Sequence, residues 1–116
     1  NLRMAATMPS LAKSLLDGAG AKSENFFNTL DYFDPFVLAP RIKVPVFMTA
    51  GGKDVLCPAP TIQSVYDRIT SPKEYRFYPD LPHTSCMDSY ALTWLFLNRY
   101  FLNNDRKQNV QPFNRQ

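Results

Sequence analysis

Val44-Pro45-Val46-Phe47-Met48-Thr49-Ala50, closed by Gly51-Gly52-Lys53-Asp54, is the stretch on which the fold turns. A short apolar run ended by paired glycines suits a strand buried on both faces, as in a parallel sheet. Pro45 is tolerable only near the start of such a strand. Downstream, Pro60 sits at a helix's first turn, and Ile62, Val65, Tyr66 and Ile69 follow at i, i+3, i+4 and i+7, giving one apolar face. Ser71-Pro72 breaks that helix. Glu74-Tyr75-Arg76-Phe77-Tyr78 reads as a second strand, more polar and so nearer the sheet edge. Ser85 and Asp88 then form a capping box for a last helix, whose apolar face is expected to run through Met87, Ala91, Trp94, Leu95 and Tyr100 to Phe101. Strand, helix, strand and helix joined by short loops make a βαβα unit of a parallel sheet with a right-handed crossover, an α/β fold class. Two strands do not make a stable sheet alone, and a continuously apolar one needs neighbours on both edges. The unit therefore wants more sheet than it carries.

Upstream, residues 1–43 read as a helical and irregular lead-in to the βαβα part at 44–102. Ser10 precedes Leu11-Ala12-Lys13-Ser14-Leu15-Leu16, and Gly18 and Gly20 stop the turn, a start-and-stop pattern for a short helix. Ser23 opens a second helix with Phe26, Phe27, Leu30 and Phe33 at helical spacing; these are expected to be packing residues, the alternative being that they cover a cleft or a subunit interface. Residues 103–116 are polar and aperiodic and read as a mobile arm.

Composition sets outer limits. In 116 residues, 45% hydrophobic and 20% charged, there is room for one small domain with an ordinary core. The net charge of +3 is spread along the chain, without the clustered Lys and Arg that phosphate binding needs, so no nucleic-acid partner is expected. No window approaches the roughly eighteen apolar residues of a membrane span, and no signal peptide is recognisable. The start at Asn1 without Met suggests a processed or truncated product. Cytoplasmic and secreted locations stay equally open. Cys57 and Cys86 are too few for a disulfide framework and lack metal-ligand spacing, so neither metal nor cofactor is implied. A disulfide between them across two loops, or a thiol nucleophile, are minor alternatives to inert thiols.

In an open parallel sheet, functional groups gather beyond the C-terminal ends of the strands. Asp54 lies just past the first strand. His83, the only histidine, lies in Pro79-Asp80-Leu81-Pro82-His83, just past the second. With one crossover helix between them, both loops are expected on the same rim. A carboxylate that accepts a hydrogen bond from one ring nitrogen fixes the tautomer, so that the other nitrogen can take a proton from a hydroxyl nucleophile. Alone, Asp54 could be a turn-former beside glycines, and His83 a solvated loop residue; Asp80, on the histidine's own loop, is an alternative partner. An acid followed by a histidine is the chain order that ends a Ser-Asp-His set in α/β-hydrolases, where the serine sits in a Gly-x-Ser-x-Gly elbow. No such elbow occurs here, and Ser85 is better used as the helix cap.

The segments Tyr32-Phe33-Asp34-Pro35 and Leu38-Ala39-Pro40-Arg41-Ile42-Lys43-Val44-Pro45-Val46, running on to Asp54, Val55, Cys57-Pro58 and Tyr66, resemble the acetyl xylan esterase / cephalosporin C deacetylase family over roughly residues 25–101. The resemblance implies the C-terminal portion of an α/β-hydrolase fold, a serine carboxylic-ester hydrolase that deacetylates acetylated sugars, with Asp54 as the acid and His83 as the base. The serine and the oxyanion donors, with the remainder of the fold, would lie upstream of residue 1, and a homo-oligomer is implied. The chain departs from the family's usual Gly-His-Glu, reading Leu81-Pro82-His83-Thr84-Ser85. The alternatives are a dienelactone-hydrolase-like or peptidase-like enzyme, and a non-catalytic hydrolase-like binding domain.

Overall fold

The computed structural model describes residues 1–8, 10–20 and 23–102; the polar arm expected at 103–116 lies outside them. The chain divides into two compact units, Asn1–Ser85 and Cys86–Gln116. In the first, β1 (Val46–Gly51) and β2 (Lys73–Tyr78) form a parallel pair in the register Val46↔Lys73 through Gly51↔Tyr78. Pairing starts at Val46 because Pro45 has no N–H to give. The Val46 N–H donates to Pro72 O at 2.9 Å, and the Ser71 hydroxyl reaches Val44 O at 2.7 Å, holding the two strand entries together. The strand ends thus fall one or two residues from those expected.

The crossover helix α5 (Ala59–Arg68) carries Pro60 in its first turn, where a missing N–H does no harm. Its buried face follows the apolar spacing. Val65 and Ile69 pack with Ala39, flanked by Phe36, Ile42, Val46 and Met48, to make the unit's core. Burying an aliphatic side chain of this size stabilises by about 1.5–3 kcal/mol. Arg68 covers the Phe36 ring, its guanidinium carbon 4.3 Å from the centroid.

Ahead of the sheet lie α1 (Leu2–Ala5), α2 (Leu11–Gly18), α3 (Glu24–Leu30), α4 (Pro35–Leu38) and a 3-10 turn, Ala39–Arg41. Ser10 and Ser23 cap α2 and α3 by accepting from Lys13 and Phe26 N–H. Asp34, only 2% exposed, caps α4 through the Phe36 N–H (2.8 Å) while its other oxygen takes the Leu2 N–H (2.7 Å). Burial pushes its carboxyl up, the Leu2 and Phe36 backbone N–H groups pull it down, and the net direction is below its ordinary range. One carboxylate thereby ties the first helix to the segment that leads into β1.

Two expectations are corrected in these regions. Phe33 does not extend the α3 face: the helix stops at Leu30 because Asp34-Pro35 starts another, and Phe33 falls in the connecting turn, 75% exposed. In the second unit, α6 (Met87–Leu97), followed by a π-helical turn Asn98–Leu102, begins one residue later than expected. Ser89, not Ser85, closes its first turn, accepting from the Cys86 N–H at 3.0 Å and donating to Cys86 O at 2.7 Å. Met87, Trp94 and Leu95 are exposed whereas Ser89 and Phe96 are buried. Apolar residues occur all round this helix, so periodicity sets no phase. Among the described residues no helix is long and apolar enough to cross a membrane.

Candidate active site

Two loops of the first unit meet at the C-terminal ends of β1 and β2. From β1 the chain turns through Gly52 and Lys53 to Asp54; from β2 it turns through Pro79 and Asp80 to His83. Main-chain bonds join the loops directly. The Gly52 N–H donates to Tyr78 O at 2.8 Å, and the Lys53 N–H to Leu81 O at 3.0 Å. An exposed ion pair, Lys53 to Asp80 at 2.7 Å, crosses the same gap.

Asp54 uses both carboxylate oxygens. Oδ1 accepts from the N–H groups of Leu56 (2.9 Å) and Cys57 (2.7 Å), while Oδ2 lies 2.8 Å from His83 Nδ1. The turn-forming and histidine-holding roles, weighed as alternatives on sequence grounds, belong to one side chain. Its side chain is 7% exposed and the imidazole 55%. Burial pushes the Asp54 carboxyl up; the Cys57 N–H, the His83 ring and the Leu56 N–H together overcome this and hold it below the ordinary carboxylate range. An ionised carboxylate can only accept, so Nδ1 must carry the proton, and the neutral ring then presents Nε2 as a base. Nε2 has no partner among the described residues. Asp80, the alternative acid, is 89% exposed in its side chain and is engaged by Lys53.

The pair opens on a cleft of about 270 Å³ whose walls include Thr49, Ala50, Ile62, Tyr78, Leu81 and Ser85. Ser85, displaced from the cap position assigned to it, lines this cleft instead. Cys57 also lines it, but burial and the Asp54 carboxylate push its thiol up, which keeps it protonated and poorly nucleophilic. Cys57 and Cys86 are both thiols, not a disulfide. Among the described residues no three His, Cys, Asp or Glu side chains are grouped to hold a metal ion. Sequence reading missed the two backbone donors that fix Asp54. The available signal was an aspartate next to glycines, a side chain suited to capturing N–H groups two and three residues on.

Comparison with known proteins gives a consistent set of likenesses. Residues 11–98 match the acetyl xylan esterase (AXE1) family. The chain is 35% identical over 72 residues to acetyl esterase Axe7A of Xylanibacter ruminicola, a match covering 62% of this chain and 16% of that protein. Acetyl xylan esterase 1 from Thermoanaerobacterium sp. JW/SL YS485 superposes with a TM-score of 0.69 at 28% identity, covering 84% of this chain and 32% of that one. An acetyl xylan esterase from Paenibacillus sp. R4 gives 0.71 at 26%, covering 87% and 34%. The chain thus spans about a third of the solved relatives and less of the curated one.

Proposed function

The chain belongs to the acetyl xylan esterase family, and from that premise we propose that it is the C-terminal, acid-and-base-bearing portion of an α/β-hydrolase that removes acetyl groups from saccharides. The observation that carries this reading is the 2.8 Å contact between Asp54 Oδ2 and His83 Nδ1 where adjacent parallel strands end. The nucleophile is a serine hydroxyl supplied by chain outside these 116 residues.

The steps follow from what the pair can hold. His83 Nε2 takes the serine proton as the serine oxygen attacks the acetyl carbonyl. The imidazolium so formed is stabilised by Asp54, whose carboxylate stays ionised across the neutral range. His83 returns the proton to the departing sugar oxygen, leaving an acetyl-serine. Water then repeats the sequence with His83 as base, releasing acetate. Backbone donors holding the oxyanion lie outside this chain; their contribution is commonly the largest single one.

The test is His83→Ala in the enzyme that carries the nucleophile. Turnover of p-nitrophenyl acetate is expected to fall about 10³-fold or more with circular dichroism unchanged. Near-normal turnover by the folded variant would remove His83 from the mechanism.

A further inference from the structure

We infer that Gly51 and Gly52 are positioning residues for the catalytic histidine, because only side chains without a Cβ let the acid's loop lie directly against the backbone of the histidine's loop. The inference rests on the proposed roles of Asp54 and His83.

Neither glycine has a positive φ, so neither is there for conformational freedom. Space is what each supplies. A Cβ on Gly51 would fall within 3.0 Å of the Leu81 and Pro82 carbonyl oxygens, and one on Gly52 within 3.0 Å of the Pro79 carbonyl group. Real Cβ atoms essentially never approach that closely, and the obstacles are main chain, not side-chain ends that can swing away. The close approach is what allows the Gly52 N–H to reach Tyr78 O (2.8 Å) and the Lys53 N–H to reach Leu81 O (3.0 Å). Pro79 and Pro82 stiffen the facing loop, since each fixes its own φ. Asp54 follows two residues after Gly52, and His83 follows Pro82 directly. The 2.8 Å contact of the pair is therefore set by how closely these two backbones lie. Lys53 and Asp80 join the loops at their exposed side, where an ion pair contributes little.

A methyl group at either position must push the loops apart by several tenths of an ångström or more, and misplacement on the order of 1 Å can cost about 10²-fold in rate. The experiment compares Gly51→Ala and Gly52→Ala with Gly18→Ala, whose added Cβ meets nothing within 4 Å, all in the enzyme that carries the nucleophile. Expected are a kcat lower by about 10²-fold with KM within about threefold in the first two, loss or shift of the low-field His83 Nδ1 proton resonance, and a Gly18→Ala enzyme within about twofold of wild type. A folded Gly51→Ala or Gly52→Ala enzyme with normal kcat and an unmoved resonance overturns the inference. Should both variants fail to fold, hydrogen exchange on the wild type decides. Protected Gly52 and Lys53 amides support the lock; amides exchanging as fast as an open loop overturn it. If His83→Ala stays active, the acid–base reading fails first, which keeps the two failures apart.

Discussion

Replacing Asp54 with Asn changes one oxygen for an amide in a site where every neighbour is a donor. The Leu56 and Cys57 N–H groups at 2.9 and 2.7 Å need an acceptor, so the Asn carbonyl oxygen must face them. Its NH2 group then faces His83 Nδ1 at the former carboxylate distance of 2.8 Å. A donor there cannot meet an N–H; the ring relieves the clash by moving its proton to Nε2 and letting Nδ1 accept. That is the tautomer that cannot deprotonate a hydroxyl. The expected loss in kcat is about 10⁴-fold, equal to about 5.4 kcal/mol of transition-state stabilisation at about 1.36 kcal/mol per decade. KM should move by less than about threefold, since the pair acts on the reacting proton and not on uniform binding. Stability should fall by only about 1–3 kcal/mol, the difference between charge-assisted and neutral hydrogen bonds. The assay is steady-state hydrolysis of p-nitrophenyl acetate, with a urea unfolding curve on the same sample. A folded variant with kcat within about tenfold of wild type would refute the reasoning.

Other outcomes follow from the same groups. Because the folded Asp54 carboxyl sits below its ordinary range, its stabilising contribution is complete above the unfolded value of about 3.9 and is lost as pH falls through the lower folded value. The stability gap between wild type and Asp54→Asn should therefore persist from about pH 8 to 5 and shrink only below about pH 4; a gap that closes between pH 7 and 5 contradicts this. The Cys57 thiol, pushed up by burial and by Asp54, should react with iodoacetamide at pH 7 more slowly than an unperturbed thiol, and faster once Asp54→Asn removes the carboxylate; equal rates in the two enzymes count against it. Asp34→Ala should lower unfolding free energy by about 2–4 kcal/mol, from loss of a helix cap and a stranded Leu2 N–H. A urea midpoint that does not move excludes that role.

Much of this was legible from residue order because strong periodicities and short loops left few choices. The Val46–Ala50 run, the Ile62–Ile69 spacing and the Ser71-Pro72 break locate β1, α5 and β2, and the crossover then dictates that the loops bearing Asp54 and His83 share a rim. The rest depended on quantities that periodicity does not carry. Helix α4 is a single turn, too short to show a 3.6-residue repeat, although Asp34-Pro35 marks its start. Helix α6 is apolar on every side, so no phase could be assigned, and its cap depended on whether Ser85 or Ser89 faced the Cys86 main chain. Gly51 and Gly52 read only as the end of a strand; that a Cβ on either would strike the opposite loop's main chain is a fact of three-dimensional packing alone.

The most direct measurement of whether Asp54 and His83 act as one unit is a double-mutant cycle on kcat, comparing Asp54→Asn, His83→Ala and the double variant against wild type. An aspartate that works only through the imidazole has nothing left to do once the ring is gone, so the double variant should turn over ester at the rate of His83→Ala alone. Losses that multiply, the double variant being slower by the product of the two single effects, would mean that the carboxylate and the imidazole serve the reaction separately.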